Sequence, residues 1–215
     1  CTLSSGLGIS RGINKDIEDL TQFDGTIWNL NGDNIENLLG RDNLERISNY
    51  AEYTNYDSEV PYSKFLTKEC MEKGSSYYPI FTDANITLIS LSDFNSLLNL
   101  LGKEEVSLGE NEYLVFGDIS DVQKSIQEAI DNKTEINING NRLIPADKQV
   151  FNIISYDSTM KNNICTFVVN DNLVNGLNSI STYLNVNYKG DKESSQEKVT
   201  EMVEANSIGD NSSLY

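Results

Sequence analysis

Four times along this chain a short apolar run gives way to a small polar cap and then to apolar residues at helical spacing. The stretches are TIWNL-NGD-NIENLLG (26–40), ITLIS-LSD-FNSLLNLLG (86–102), EYLVF-GDI-SDVQKSIQEAI (112–130) and ICTFVVN-DNLVNGL (164–177). Each reads as a strand followed by a capped helix. Between these units lie hairpin signals. EINING-NRLIP (135–145) reads as two strands around Asn139-Gly140, a pair suited to a tight hairpin turn. Residues 48–81 hold most of the eleven tyrosines, and their Tyr/Thr/Val content with interspersed turn residues fits a second hairpin. Pro61 there implies an edge position or a bulge. Strand–helix units separated by hairpins predict an α+β fold with a mixed sheet, not a doubly wound parallel one.

Further elements complete the expected layout. Ile9, Ile13, Ile17 and Leu20 share one helical face and predict an amphipathic helix over 9–20. VFNIIS (150–155) predicts a strand. STYLNVNY (181–188) alternates and predicts a half-buried one. DKESSQEKVTEMVEAN (191–206) predicts a polar helix with Val199, Met202 and Val203 inward. No Gly/Ser- or Pro-rich linker interrupts residues 9–206, which predicts a single domain or two intimately joined lobes.

Composition excludes several chemistries. Acidic residues outnumber basic ones 33 to 16, a net charge of −17. Such a surface repels nucleic acid and anionic lipid, because phosphate binding needs Lys and Arg, and it favours cationic partners. Histidine is absent, which removes the commonest general base and most transition-metal sites. Ser158–Lys161 and Ser195–Lys198 match the S-x-x-K spacing, but the companion motifs of Ser–Lys enzymes are missing. Asp16 with Asp19 and Glu104 with Glu105 are carboxylate pairs that a solvated acidic face also supplies. Asp171–Gly176 begins like a calcium loop but places Leu173 at a ligand position. Gly6, Gly8 and Gly12 miss the dinucleotide spacing and have no strand before them. These readings predict no catalytic residue, metal or cofactor. Cys70 and Cys165 are either a disulfide or two buried thiols. The candidate partner surface is the tyrosine-rich stretch, represented by Tyr53, Tyr56 and Tyr62, since tyrosines give large contact area at low entropic cost.

Two stretches resemble a known family. ITLISLSDFNSLLNLLGKEEVSLGENEYLVFGDI (86–119) and TLSSGLGISRGINKDIED (2–19) resemble the large extracellular domain of FtsX-like permease subunits. These belong to ABC transporters of the bacitracin-resistance and MacB-like type in low-GC Gram-positive bacteria. CTFVVNDNLVNGLNSISTYLNVNY (165–188) is of the same style. The resemblance implies a non-enzymatic domain on the extracytoplasmic face of the cell membrane. It would bind a peptide, a lipid-linked molecule or a protein ligand, or relay conformational change to the transmembrane helices. ATP hydrolysis would fall to a separate cytoplasmic ATPase subunit. Residues 1–8 would be the exit of a transmembrane helix and 207–215 the return toward the next, with the terminal helices side by side. The alternative is a binding domain of a lipoprotein anchored through Cys1.

Overall fold

All four strand–cap–helix units form, and nine strands among the described residues join in one mixed sheet. The computed structural model describes residues 7–11, 23–29, 31–77, 84–117, 120–146 and 165–207. The strands are β1 (Leu7–Arg11), β2 (Gly25–Asn29), β3 (Ser48–Pro61), β4 (Asn85–Ser90), β5 (Glu112–Gly117), β6 (Ile136–Ile138), β7 (Asn141–Pro145), β8 (Cys165–Val169) and β9 (Ser179–Tyr188). The helices are α1 (Ile35–Leu39), α2 (Arg41–Ile47), α3 (Lys68–Tyr77), α4 (Leu91–Leu100), α5 (Ser120–Asp131), α6 (Asp171–Val174) and α7 (Lys192–Ser207), with a 3-10 turn at Tyr62–Phe65. Across the sheet the order is β1-β2-β9-β3-β4-β8-β5-β7-β6. Among the described residues only β4–β8 and β5–β7 are parallel pairs. The expected α+β fold with a mixed sheet is the one observed.

The alternation of side chains along β4, β5 and β8 separates two apolar layers. Ile86, Leu88, Tyr113, Val115, Cys165 and Phe167 face one side, beneath Ile126 and Ile130 of α5. Ile89, Leu114, Phe116 and Val168 face the other, beneath Phe94, Leu97 and Leu98 of α4. At the far half of the sheet Ile27, Leu184 and Val186 meet Ile35 and Leu39 of α1, Leu44 and Ile47 of α2, and Val199 and Val203 of α7.

Local chemistry sets the helix ends. Leu101 and Gly102 close α4: the Lys103 N–H donates to the Leu98 carbonyl (2.8 Å) and the Gly102 N–H to that of Asn99 (3.0 Å). Gly102 has φ +67, the left-handed residue that this type of helix stop requires. Gly40, at φ +86, likewise breaks α1 from α2. At the start of α1 the Asn34 side chain accepts from the Asn37 N–H at 2.7 Å. Asn34→Ala is expected to lower the unfolding free energy by about 1 kcal/mol, read by urea titration, with Asn34→Asp close to the parent.

Three expectations need correction. The described part of the stretch 48–81, residues 48–77, forms no hairpin. One 14-residue strand, β3, pairs with β9 from Ser48 to Tyr56 and with β4 from Tyr56 to Pro61. The turn residues Asp57 to Glu59 are absorbed as a bulge, with Glu59 at φ +58 and the Ser58 hydroxyl donating to the Ile86 carbonyl. Pro61 thus marks a bulge in an interior strand. Second, Leu7–Arg11 is a strand, not the start of a helix; Ile9 lies across from Ile27, and the rest of the expected helix lies outside the described residues. Third, β9 is buried on both faces from Ser181 to Val186. It runs between β2 and β3, so its polar residues are taken up inside the sheet, as in Thr26 Oγ1 donating to Asn185 Oδ1 (2.8 Å). The strand expected at 150–155 lies outside the described residues.

Candidate functional site

The parallel pair β4–β8 hands the chain to opposite sides of the sheet. After Ser90 the chain enters α4, which covers Leu114, Phe116 and Val168. After Asn170 it enters α6, whose Leu173 and Val174 join Phe167 on the other face. Two exits that diverge at the carboxyl ends of neighbouring strands open a crevice between them, the usual ligand position in an open sheet.

A cleft of about 710 Å³ occupies that place. Helix α4 contributes Leu91, Ser92 and Asn95; the start of α6 contributes Asn170 to Leu173. The loop between α4 and β5 adds Leu108, Glu110 and Asn111, and β7 adds Asn141. Carboxamides dominate the polar lining. The charged side chains that line it are Glu110 and Asp171, both acidic, and no lining residue is basic or aromatic.

Hydrogen bonds fix most of these groups. The Asn95 side chain clamps the loop at Val106, accepting from its N–H (2.9 Å) and donating to its carbonyl (3.0 Å). Asn170 donates through Nδ2 to the Gly109 carbonyl (2.8 Å), and the Gly109 N–H donates to Glu112 Oε2 (2.8 Å). Asn141 spends its Nδ2 on the carbonyls of Ile138 and Asn139. The Ser90 hydroxyl caps α4 by accepting from the Asp93 N–H (3.1 Å). The carboxylate Oδ1 of Asp171 accepts from the Ser92 N–H (3.0 Å), across the crevice. Asp171 therefore does not cap its own helix; it ties the start of α6 to that of α4.

Beside this cleft, Asp93 accepts at Oδ2 from the Thr54 N–H (3.1 Å), where β4 has ended and leaves the edge of β3 open. Burial holds the Asp93 carboxyl above its usual range.

The tyrosines named from sequence are not a surface. Tyr53 is buried and stacked on Tyr183, with ring centroids 5.3 Å apart. Tyr62 is fully buried, and its hydroxyl donates to the Cys165 carbonyl while accepting from the Cys165 N–H. Tyr56 is half-buried and packs on the layer beneath α5. Tyr53 and Tyr56 lie on opposite faces of β3, so the three share no patch. Tyr53 and Tyr62 are core residues because the ring of one and the hydroxyl of the other find partners inside. Ser195 is buried in α7 with its hydroxyl donating to the Lys189 carbonyl (3.2 Å), a packing role and not that of an activated nucleophile. Ser158 and Lys161 lie outside the described residues, as do Asp16 and Asp19. Cys70, half-buried, and Cys165, buried, carry thiols and no disulfide. Among the described residues no group of three or more His, Cys, Asp or Glu is placed to hold a metal ion, and no helix is long and apolar enough to cross a membrane.

The cleft asparagines carry no recognisable motif in the sequence. Asn170 and Asn172 belong to the polar cap NDN of one unit, which meets the LSD cap of another because β4 and β8 pair, whereas Asn95, Asn111 and Asn141 lie outside both caps. No protein-family model matches this chain, and no curated protein matches it.

Proposed function

We propose that this chain is a non-enzymatic, extracytoplasmic binding domain of an FtsX-like permease, taking its ligand in the cleft and working with a cytoplasmic ATPase subunit through the membrane part. One observation supports it beyond the sequence resemblance: the two described ends of the chain converge. β1 runs antiparallel to β2, so Leu7 lies opposite Asn29 and Arg11 opposite Gly25. α7 begins at the Gly25 end, where Lys192 Nζ meets Asp24 Oδ1 at 2.6 Å. Its 16 residues extend about 24 Å, running back against β1 and α1. Chain entry and exit thus meet at one end of this half of the sheet, as two neighbouring membrane spans would require. The cleft is built in the other half, from β4, β8 and their loops.

The coding sequence on either side of these residues tests the proposal. Apolar segments of about 20 residues on both sides, beside a gene for an ATPase, are expected. On intact cells a membrane-impermeant thiol reagent should label Glu204→Cys in the full-length protein, with the parent as control. A single signal segment ending at Cys1, with a stop codon soon after Tyr215, would overturn it and leave a lipid-anchored binding protein.

A further inference from the structure

We propose that Asn175 is a site of spontaneous covalent modification: the neighbouring Gly176 nitrogen displaces its side-chain amide, and the residue converts to aspartate and isoaspartate ahead of the two other Asn-Gly pairs of the chain. The inference goes beyond the binding role given above and does not depend on it.

A glycine after an asparagine leaves its amide nitrogen unhindered, so that nitrogen can attack the side-chain carbonyl before it. The Gly176 nitrogen forms a bond to Cγ of Asn175, the Cγ–Nδ2 bond breaks, and Nδ2 departs as ammonia with the proton from Gly176. Water then opens the cyclic imide at either carbonyl, giving aspartate or isoaspartate. The pairs are Asn31-Gly32, Asn139-Gly140 and Asn175-Gly176. In all three the asparagine is exposed and the glycine has a positive φ. Their chemistry is the same, and what differs is how firmly each is held.

Asn139-Gly140 turns the β6–β7 hairpin and is pinned at both reacting groups. Asn139 Nδ2 donates to the Leu173 carbonyl (3.1 Å) and the Gly140 N–H to Asn137 Oδ1 (3.0 Å). Asn31-Gly32 is pinned through its backbone. The Asn31 N–H donates to Asn29 Oδ1 (3.0 Å) and the Gly32 N–H to the Asn29 carbonyl (3.4 Å). Gly32 also lies against Ser179, so closely that a Cβ there would stand 2.5 Å from the Ser179 Oγ. Nothing comparable restrains Asn175-Gly176. Neither the Asn175 carboxamide nor the Gly176 N–H makes a hydrogen bond to a described residue, and the space where a Gly176 Cβ would stand is open. Asn175 at φ −61 and ψ 123 and Gly176 at φ +83 form the centre of a type II turn. The Leu177 N–H closes it on the Val174 carbonyl (3.1 Å). The central peptide of such a turn can rotate without breaking the closing bond, and that rotation brings the Gly176 nitrogen toward Cγ. At the other two pairs hydrogen bonds must break first, which raises the barrier. Isoaspartate would place an extra backbone carbon in the link from α6 to β9, and either product adds a negative charge at the end of the helix whose start lines the cleft.

Timed incubation of the 215-residue chain in mildly alkaline buffer tests this, with peptide mapping by mass spectrometry reading each site separately. In the folded protein Asn175 should convert about tenfold or more faster than Asn139, and faster than Asn31. In urea the three rates should converge, because the restraints are gone. Asn137→Ala removes the acceptor of the Gly140 N–H; it should speed conversion of Asn139 and leave that of Asn175 unchanged. Asn31 or Asn139 converting as fast as Asn175 in the folded chain would overturn the proposal. So would an Asn175 that stays intact when folded and converts only in urea. An unchanged order of rates in urea, or an Asn139 rate that Asn137→Ala does not move, would show that sequence and not the fold sets the order, and would overturn it equally.

Discussion

Phe167→Ala is expected to remove about 3–5 kcal/mol of folding stability, a large part of the roughly 5–15 kcal/mol that a domain possesses. Phe167 is fully buried on β8, midway between the parallel partner β4 and the antiparallel partner β5. Three rings surround it: Phe65 at 4.7 Å, Tyr113 at 5.6 Å and Tyr62 at 6.5 Å between centroids. These neighbours come from the 3-10 turn and from β5, elements already fixed by their own hydrogen bonds. The Tyr62 hydroxyl is held on Cys165 and that of Tyr113 on the Thr134 carbonyl (2.7 Å). They cannot collapse into the space left by the ring, so the cavity term adds to the lost transfer energy. Phe167→Leu keeps much of the volume and should cost less than half as much. Urea unfolding followed by circular dichroism separates the two. A loss below about 1 kcal/mol for Phe167→Ala would show that the aromatic cluster repacks, contrary to the rigidity argued here.

What was legible in the sequence follows from how local each signal is. The helices α1 and α4, their stops at Gly40 and Gly102, and the Asn139-Gly140 turn depend on residues a few positions apart. They read correctly because nothing distant competes with them. The long strand β3 misread as a hairpin because Asp57 to Glu59 carry turn chemistry. Pairing with β4 beyond Tyr56 turned that chemistry into a bulge. β9 misread as half-buried because alternation in its sequence cannot say that both faces will be covered. The cleft is further still from local signals. Ser92 and Asp171 lie 79 positions apart and meet only through the parallel register of β4 and β8. Tyrosines, too, reveal nothing about burial by their type alone. Tyr53 and Tyr62 went to the core because each hydroxyl or ring found a partner there.

Glu52→Gln is expected to flatten the pH dependence of stability between about pH 5 and pH 8 and to stabilise the protein at the upper end. Glu52 sits on β3 beneath the start of α1, and its Oε2 accepts from the Glu36 N–H at 2.7 Å. Burial, above all, pushes its carboxyl up to about 7, and the neighbouring carboxylates of Glu36 and Asp93 add to this; the backbone donors of α1 oppose it. Glu36 is itself engaged, by the Tyr50 hydroxyl (3.0 Å) and by Arg41 Nε (2.7 Å). A carboxyl whose folded value lies above its unfolded one binds a proton more tightly when folded. Its stabilising contribution is complete below the unfolded value near 4.5 and is lost as pH rises through about 7. The full shift would amount to roughly 3 kcal/mol, and partial solvation of the carboxylate reduces that to about 1–2 kcal/mol. Gln keeps an acceptor oxygen for the Glu36 N–H and carries no charge, so the variant should gain this amount at pH 8 and nothing at pH 4.5. Because the protein bears a net charge of −17, general repulsion also grows with pH. That contribution is nearly common to parent and variant and largely cancels in their difference. Urea midpoints for both at a series of pH values decide the matter. Parallel curves would mean that Glu52 stays ionised throughout and that its hydrogen bonds to α1, rather than its burial, set its charge.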